Sequence, residues 1–256
     1  MSLTLYHAEP MANSLKALIP LLEKNLPFES RYVNLQRFEQ HEAWFVEINP
    51  EGQVPVLVHD GSPVMHASVI NEYVEDVFPQ APALRPVDPL ERSQMRAWNK
   101  FIDEQVMNFV SIHGWNRRVR LVAQQFSDED FEEYLSRIPL VEQRNKWRTA
   151  RGGFDEAELD NAERKVRIAV ERSEAQLAET EWLAGDSYSL ADINMFSLCS
   201  ISLERLFPHL ADRKTYPRFW DWHDRVLMRP AVQTALAGPD HTDPAIKEAI
   251  QHPPGG

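Results

Sequence analysis

Three observations predict an α+β chain in two parts. Short apolar runs alternate with helix-period segments over residues 1–79, four prolines crowd positions 79–89, and from Leu90 onward the apolar spacing is that of helices alone. The boundaries read as a mixed unit over 1–79, a linker over 80–89, an all-helical unit over 90–237 and a proline-rich tail over 238–256. The tail is expected to be extended or mobile.

Leu3-Thr4-Leu5-Tyr6 reads as a first strand. Residues 13–24 place Leu15, Leu18, Ile19 and Leu22 at helical spacing. Residues 28–33 read as a second strand and 39–48 as a short helix. Val56-Leu57-Val58 and Val64-Met65 form a hairpin around Asp60-Gly61, and Ser68 opens a helix over 69–78. The order β-α-β-α-β-β-α fits one small mixed sheet.

Past the linker, residues 90–126 read as a long helix in which Gly114 marks a kink or interruption. Ser127 with Asp130 reads as a capping box, and a stripe from Leu159 to Leu177 predicts a helix over 155–180. Ser189 followed by Asp192 is a second capping box, with Tyr188 and Ile193 as its hydrophobic staple. An aromatic-rich helix over 216–227 comes next, and Pro230 is expected to stop or redirect the chain.

Composition limits the function. A net charge of −12 over 256 residues argues against nucleic acid or an anionic membrane as the main partner. No apolar run is long enough to span a bilayer, and the start of the chain lacks signal-peptide architecture. With Cys199 as the single cysteine, a reducing compartment, the cytoplasm, is expected. The nine histidines show no metal-ligand spacing, so no metal is expected.

The most informative stretch is Ile48-Asn49-Pro50-Glu51-Gly52-Gln53-Val54-Pro55-Val56-Leu57, a turn that runs into a strand through Val54-Pro55. A cis bond at Pro55 would turn the N–H and C=O of Val54 outward, where the backbone of a small extended peptide can pair with them. The plain alternative is an ordinary turn before an edge strand.

This order of elements, with Val-Pro before the third strand, resembles the thioredoxin-like N-terminal domain of glutathione transferases. The resemblance implies glutathione as co-substrate and a cis Pro55. Redox members of the wider fold carry C-x-x-C at the first helix, where this chain has Asn13 and Ser14. Dithiol exchange is therefore disfavoured, and thiol activation by Ser14, with Asn13 next, is what remains. Either residue could instead be a plain N-cap. Ser68 corresponds to the serine that receives the γ-glutamyl carboxylate, although it too would serve as a cap. The acidic residue that often precedes it is here Ala67. Gln40 and His41 match positions used for the glycine end, and Gln53, beside Val54, is a further candidate there.

Pro10-Met11-Ala12-Asn13-Ser14-Leu15-Lys16, Phe38-Glu39-Gln40-His41 and Lys146-Trp147-Arg148 resemble the bacterial glutathione-dependent β-aryl etherases of lignin breakdown. That branch implies attack of the glutathione thiolate on a carbon bearing an aryl ether beside a ketone. The partners implied are a small aromatic electrophile or aryl ether, and a second copy of the chain in a homodimer. A pocket between the two parts is expected to draw on His113, Trp115, Asn116, Arg120 and Trp147. A generic transferase, a glutathione lyase and a non-catalytic glutathione-binding protein are the alternatives.

Overall fold

Side-chain alternation in the first strand decides the layering. The computed structural model describes residues 2–80, 82–239, 241, 242, 244 and 247. In β1 (Leu3–His7), Leu3 and Leu5 face a large core shared with the helices, whereas Tyr6 faces a smaller one with Val33, Phe45 and Val56. The sheet order is β2-β1-β3-β4. After α1 (Ala12–Glu23), β2 (Glu29–Tyr32) lies parallel to β1, and β3 (Val56–His59) and β4 (Ser62–Met65) form the antiparallel hairpin. Asp60 and Gly61, with φ of 47° and 85°, supply the left-handed pair that a two-residue hairpin turn requires.

The expected helix over 39–48 is replaced by shorter pieces. Turns of 3-10 helix at Leu35–Arg37 and Glu39–His41 flank Phe38, and only Ala43–Val46 (α2) is α-helical. Local side chains compete with the helix: Asn34 Oδ1 accepts from the N–H groups of Gln36 and Arg37, and the Glu39 carboxylate takes the Asn34 N–H at 2.7 Å. Ser68 does not cap a helix starting at Val69. Helix α3 begins earlier, at Ala67–Val77, preceded by His66 at φ 65°, and the Ser68 hydroxyl is engaged elsewhere.

Gly114 does not interrupt the long helix. The chain stays helical from α4 (Pro89–Phe101) through α5 (Met107–Gly114) to α6 (Arg120–Ala123), but widens into π-helical turns at Ile102–Val106 and Trp115–Val119. Each such turn holds an extra residue and rotates the succeeding residues about the helix axis. Helices α7 (Asp128–Arg137), α8 (Val141–Gly152) and α9 (Glu156–Gln176) come next. Ser127 makes only half of its box, accepting from the Asp130 N–H at 3.1 Å, whereas Asp155 and Glu158 complete a box that the spacing of apolar residues did not reveal.

Helix α10 (Leu190–Met195) runs through a π turn at Phe196–Ser200 into α11 (Ile201–Leu206), and α12 (Pro217–Leu227) packs beside α9. Pro230 opens α13 (Pro230–Leu236) instead of ending the helical run, because a proline at the first helical position loses no hydrogen bond. Arg229, just before it, grips Glu23 of α1 with two hydrogen bonds of 2.6 and 2.9 Å. Most of the expected tail lies outside the described residues. Within it, the His241 ring sits 4.0 Å from that of Tyr32, and Thr242 accepts from Arg118 at 2.8 Å.

One core spans both parts, bringing Leu15, Ile19, Ile70 and Val74 together with Trp98, Ile193, Phe219 and Trp222. The linker is pinned to it. Lys24 and Glu75 form a buried ion pair at 2.7 Å, Lys24 also donates to the carbonyls of Gln80 and Pro82, and Glu75 accepts from the Leu84 N–H. The polar centre of the helical part is Asp192, fully buried, which accepts from the N–H groups of Leu183 and Ser189, the Ser189 hydroxyl and Trp222 Nε1, all within 3.1 Å. Burial pushes its carboxyl up, against the pull of those donors. Nearby, His223 lies between Phe196 and Trp220, its Nδ1 has no partner among the described residues, and burial lowers it to about 4.

Replacing Asp192 with alanine strands several buried donors at once, each unmet donor costing about 1–3 kcal/mol. Asp192→Ala is therefore expected to lower the unfolding free energy by about 3 kcal/mol or more, read from urea denaturation. His223 gives a pH signature. The unfolded chain takes up its proton near the ordinary value of 6.5, and the folded chain only near 4. Stability from the neutral ring is thus complete above the upper value and is lost as pH falls toward the lower one. Thermal melts at about pH 7 and pH 5 should show a larger drop for the wild type than for His223→Phe.

Candidate active site

The turn into β3 is built by Asn49. Its buried amide donates to the Gln53 carbonyl at 2.7 Å and its Oδ1 accepts from the Glu51 N–H at 3.0 Å. Gly52, at φ 62°, admits no side chain, since a Cβ there would lie 2.8 Å from the His41 ring. The Val54-Pro55 bond is cis, as expected from the sequence. Pairing in β3 begins only at Val56, and among the described residues neither the N–H nor the C=O of Val54 has a partner.

Asn13 and Ser14 lie in the first turn of α1, past the cap position, which Met11 holds without a side-chain bond. Ser14 is buried, and its Oγ accepts from the Ala8 N–H at 3.0 Å. Among the described residues its own proton has no acceptor, so the hydroxyl is polarised and free to donate.

Two cavities meet at this point. The smaller, about 330 Å³, is polar and is bounded by Val54, Pro55, Ala67, Ser68, Lys16 and Asp103. Lys16, 1% exposed, donates to Ser68 Oγ and to Asp103 Oδ1, each at 2.5 Å, and the Ser68 hydroxyl donates to Asp103. Burial lowers the Lys16 pKa and Asp103 opposes that shift. Asp103 arrives from the helical part, on the first π turn. Neither residue was among the expected site residues. Lys16 left a signal, a lysine inside the apolar run Leu15-Lys16-Ala17-Leu18-Ile19, whereas nothing local marked Asp103.

The larger cavity, about 390 Å³, takes Gln40, His41 and Gln53 from the first part and Trp115, Lys146 and Trp147 from the second. Asn13, Gln53, Val54 and Met107 line both cavities and form their joint. Gln40 Oε1 and His41 Nδ1 are buried without partners among the described residues, and burial lowers His41 to about 4, so its imidazole is neutral at pH 7. Trp115 meets Trp147 edge to face at 5.4 Å, and Phe38 packs on Trp147 at 4.7 Å and on Tyr134 at 4.8 Å. Phe38 is thus a knob from the first part seated in the segment around α7 and α8.

His113, Asn116 and Arg120 line neither cavity. His113 Nε2 lies 3.0 Å from the Leu159 carbonyl, Asn116 Oδ1 accepts from the Phe154 N–H at 3.1 Å, and Arg120 lies against Gly153. Helical facing explains the outcome: at i, i+3 and i+7 the three residues share a side that turns to residues 153–159, whereas Trp115 lies with Ser111, Arg118 and Val122 on the side that lines the cavity. Among the described residues, no group of His, Cys, Asp and Glu side chains is placed to hold a metal ion, and no helix is long and apolar enough to cross a membrane.

Residues 1–76 match the family model for the glutathione S-transferase N-terminal domain, and residues 123–230 match that for the C-terminal domain. The chain is 44% identical over 238 residues to Protein LigF of Sphingobium sp. (strain NBRC 103272 / SYK-6), an overlap of 91% of this chain and 92% of that protein. The crystal structure of the beta-etherase LigF from that strain matches with a TM-score of 0.88 over 92% of this chain and 98% of the other. Glutathione S-transferase F10 of Arabidopsis thaliana is 28% identical over 226 residues, covering 86% of this chain and 91% of its own length. A glutathione transferase from Burkholderia graminis, solved with two glutathione molecules per subunit, shares the fold at a TM-score of 0.70 and 23% identity over 94% of this chain and 89% of its own. With both domain models matched in order and near full-length identity to LigF, the chain belongs to the glutathione S-transferase superfamily.

Proposed function

We propose that this protein cleaves aryl ethers with glutathione, as a β-etherase. The observation that carries the reading is the 44% identity to LigF over 91% of the chain, joined to an aromatic cavity that opens onto the unpaired backbone of Val54. Glutathione lies along Val54, its cysteinyl N–H and C=O pairing as an added strand would. Its γ-glutamyl end enters the smaller cavity, where Ser68, the first turn of α3 and Lys16 receive the carboxylate. Asp103 takes the amine, a task for which Ala67 has no side chain. Gln40, His41 and Gln53 serve the glycyl end.

The cysteinyl sulfur then lies at the joint, beside Asn13 and Ser14. A free thiol has a pKa of about 8.5, and lowering it by ~2 units requires about 2.7 kcal/mol of preference for the thiolate. The Ser14 hydroxyl, held by the Ala8 N–H, and the N-terminal turn of α1 both favour the anion. The thiolate attacks the carbon bearing the ether oxygen, the C–O bond breaks, and an aryloxide leaves while a glutathione thioether forms. A neighbouring ketone activates that carbon, and Trp115 and Trp147 supply faces for the aryl groups. Cys199 does not suit the lyase alternative, being buried among core side chains with its thiol pushed up to about 12. A homodimer in the cytoplasm is the family expectation and completes the proposal.

An α-keto β-aryl ether and the corresponding alcohol, each incubated with and without glutathione, test the reading by chromatography. Phenol should appear with ketone and glutathione together, far more slowly from the alcohol, and not without glutathione. Release indifferent to glutathione would sink the mechanism. Ser14→Ala is expected to move the pH profile of turnover upward by about one unit or more, with a smaller effect for Asn13→Ala. Unchanged profiles in both variants would remove them as thiol activators.

A further inference from the structure

Lys146 is a charged group of the larger cavity that has no carboxylate partner among the described residues. Glu9 and Arg118 pair with each other at 3.4 Å, Glu9 is also held by Tyr32 and Gln36, and Arg117 donates to the Arg205 carbonyl at 2.7 Å. His41 is neutral at pH 7. Lys146 Nζ lies 4.6 Å from the centre of the Trp115 ring and donates to Ser111 Oγ at 2.8 Å, and among the described residues no carboxylate pairs with it. Ser111 in turn donates its proton to the Asn108 carbonyl at 2.8 Å, so it can only accept from Lys146. An ammonium has three N–H groups, and one is thereby fixed toward Ser111. The side chain is held in place on the wall of an aromatic cavity with donors left over.

A half-buried cation without a counter-ion costs stability, and the Trp115 face offsets only part of that cost. The etherase reaction generates a matching charge on the leaving oxygen. We propose that Lys146 is the general acid of the ether cleavage, its Nζ meeting the oxygen of the departing aryl group. The assignment rests on the etherase reading above. In the step, the thiolate pair forms the S–C bond and the C–O pair departs with the oxygen. One N–H proton of Lys146 passes to that oxygen, releasing a neutral phenol and leaving Lys146 as an amine, which regains a proton from water. The proton moves downhill, because burial lowers Lys146 to about 8 and a phenol has a pKa of about 10. Lys146 is also half of Lys146-Trp147, so one turn of α8 supplies both the proton and an aromatic wall.

The test compares wild type, Lys146→Met and Lys146→Arg on a series of α-aryloxy ketones that differ only in the acidity of the phenol released, from methoxyphenol to nitrophenol, with glutathione in excess. General acids contribute about 10²–10⁴-fold, and the contribution is greatest for poor leaving groups. Lys146→Met should lose about 100-fold with methoxyphenol and only a few-fold with nitrophenol. Lys146→Arg, which keeps the charge but does not give up its proton, should follow Lys146→Met. The ratio between the two ends of the series is read within one preparation, so a misfolded fraction cancels. A uniform loss across the series, or full recovery by arginine, overturns the assignment. Wild type that releases no phenol from any member overturns the etherase reading itself, and is visible before any variant is compared.

Discussion

The buried ammonium of Lys16 is the constraint around which the two parts are arranged. A lysine 1% exposed beneath the sheet domain is tolerable only if a carboxylate reaches it, and the first part offers none at position 67. Asp103 comes from the long helix, and the π turn at Ile102–Val106 is where that helix delivers it. Ser68 bridges the two charges. The ion pair therefore sets the position of α4 and α5 against α1 and α3, and with it the position of Met107 at the joint of the cavities. Removing Asp103 leaves the buried Lys16 as a desolvated charge, a more severe loss than the pair's own net contribution.

The two cavities differ in how they treat charge. In the smaller, opposite charges already neutralise each other, which suits a zwitterionic γ-glutamyl group that can engage both. The larger keeps its anion, Glu9, paired and its imidazole neutral, and sets the Lys146 ammonium against the Trp115 ring. A chain of net charge −12 thus holds an anionic co-substrate through local placement rather than overall attraction.

What could be read in the sequence was carried by short-range chemistry. The strand order, the Asp60-Gly61 turn, the box of Ser189 and Asp192 and the cis Pro55 all depend on residues adjacent in the chain, and all are present. The misreadings were of two kinds. Around Asn34 and Glu39, side chains bonded to the backbone and displaced a helix that apolar spacing alone supported. Along the long helix, nearness in the chain groups His113, Asn116 and Arg120 with Trp115, but at i, i+3 and i+7 they share a different face, turned to residues 153–159. Asp103 had no local mark because its partner is 87 positions away.

The knob formed by Phe38 gives the segment around α7 and α8 a core of its own. Phe38, Val122, Ala123, Phe131, Leu135, Ile138 and Trp147 form a cluster separate from the main one, and the residue it takes from the sheet domain is Phe38, at a left-handed position between two short turns. Energetically, such a unit couples weakly to distant sites, because effects of substitutions without shared partners add. The consequence is evolutionary. Under the proposed function, the segment is a cassette in which the Trp147 side of the aromatic wall can be resculpted for new leaving groups, while the ion pair and the Val54 edge proposed to hold the tripeptide stay as they are.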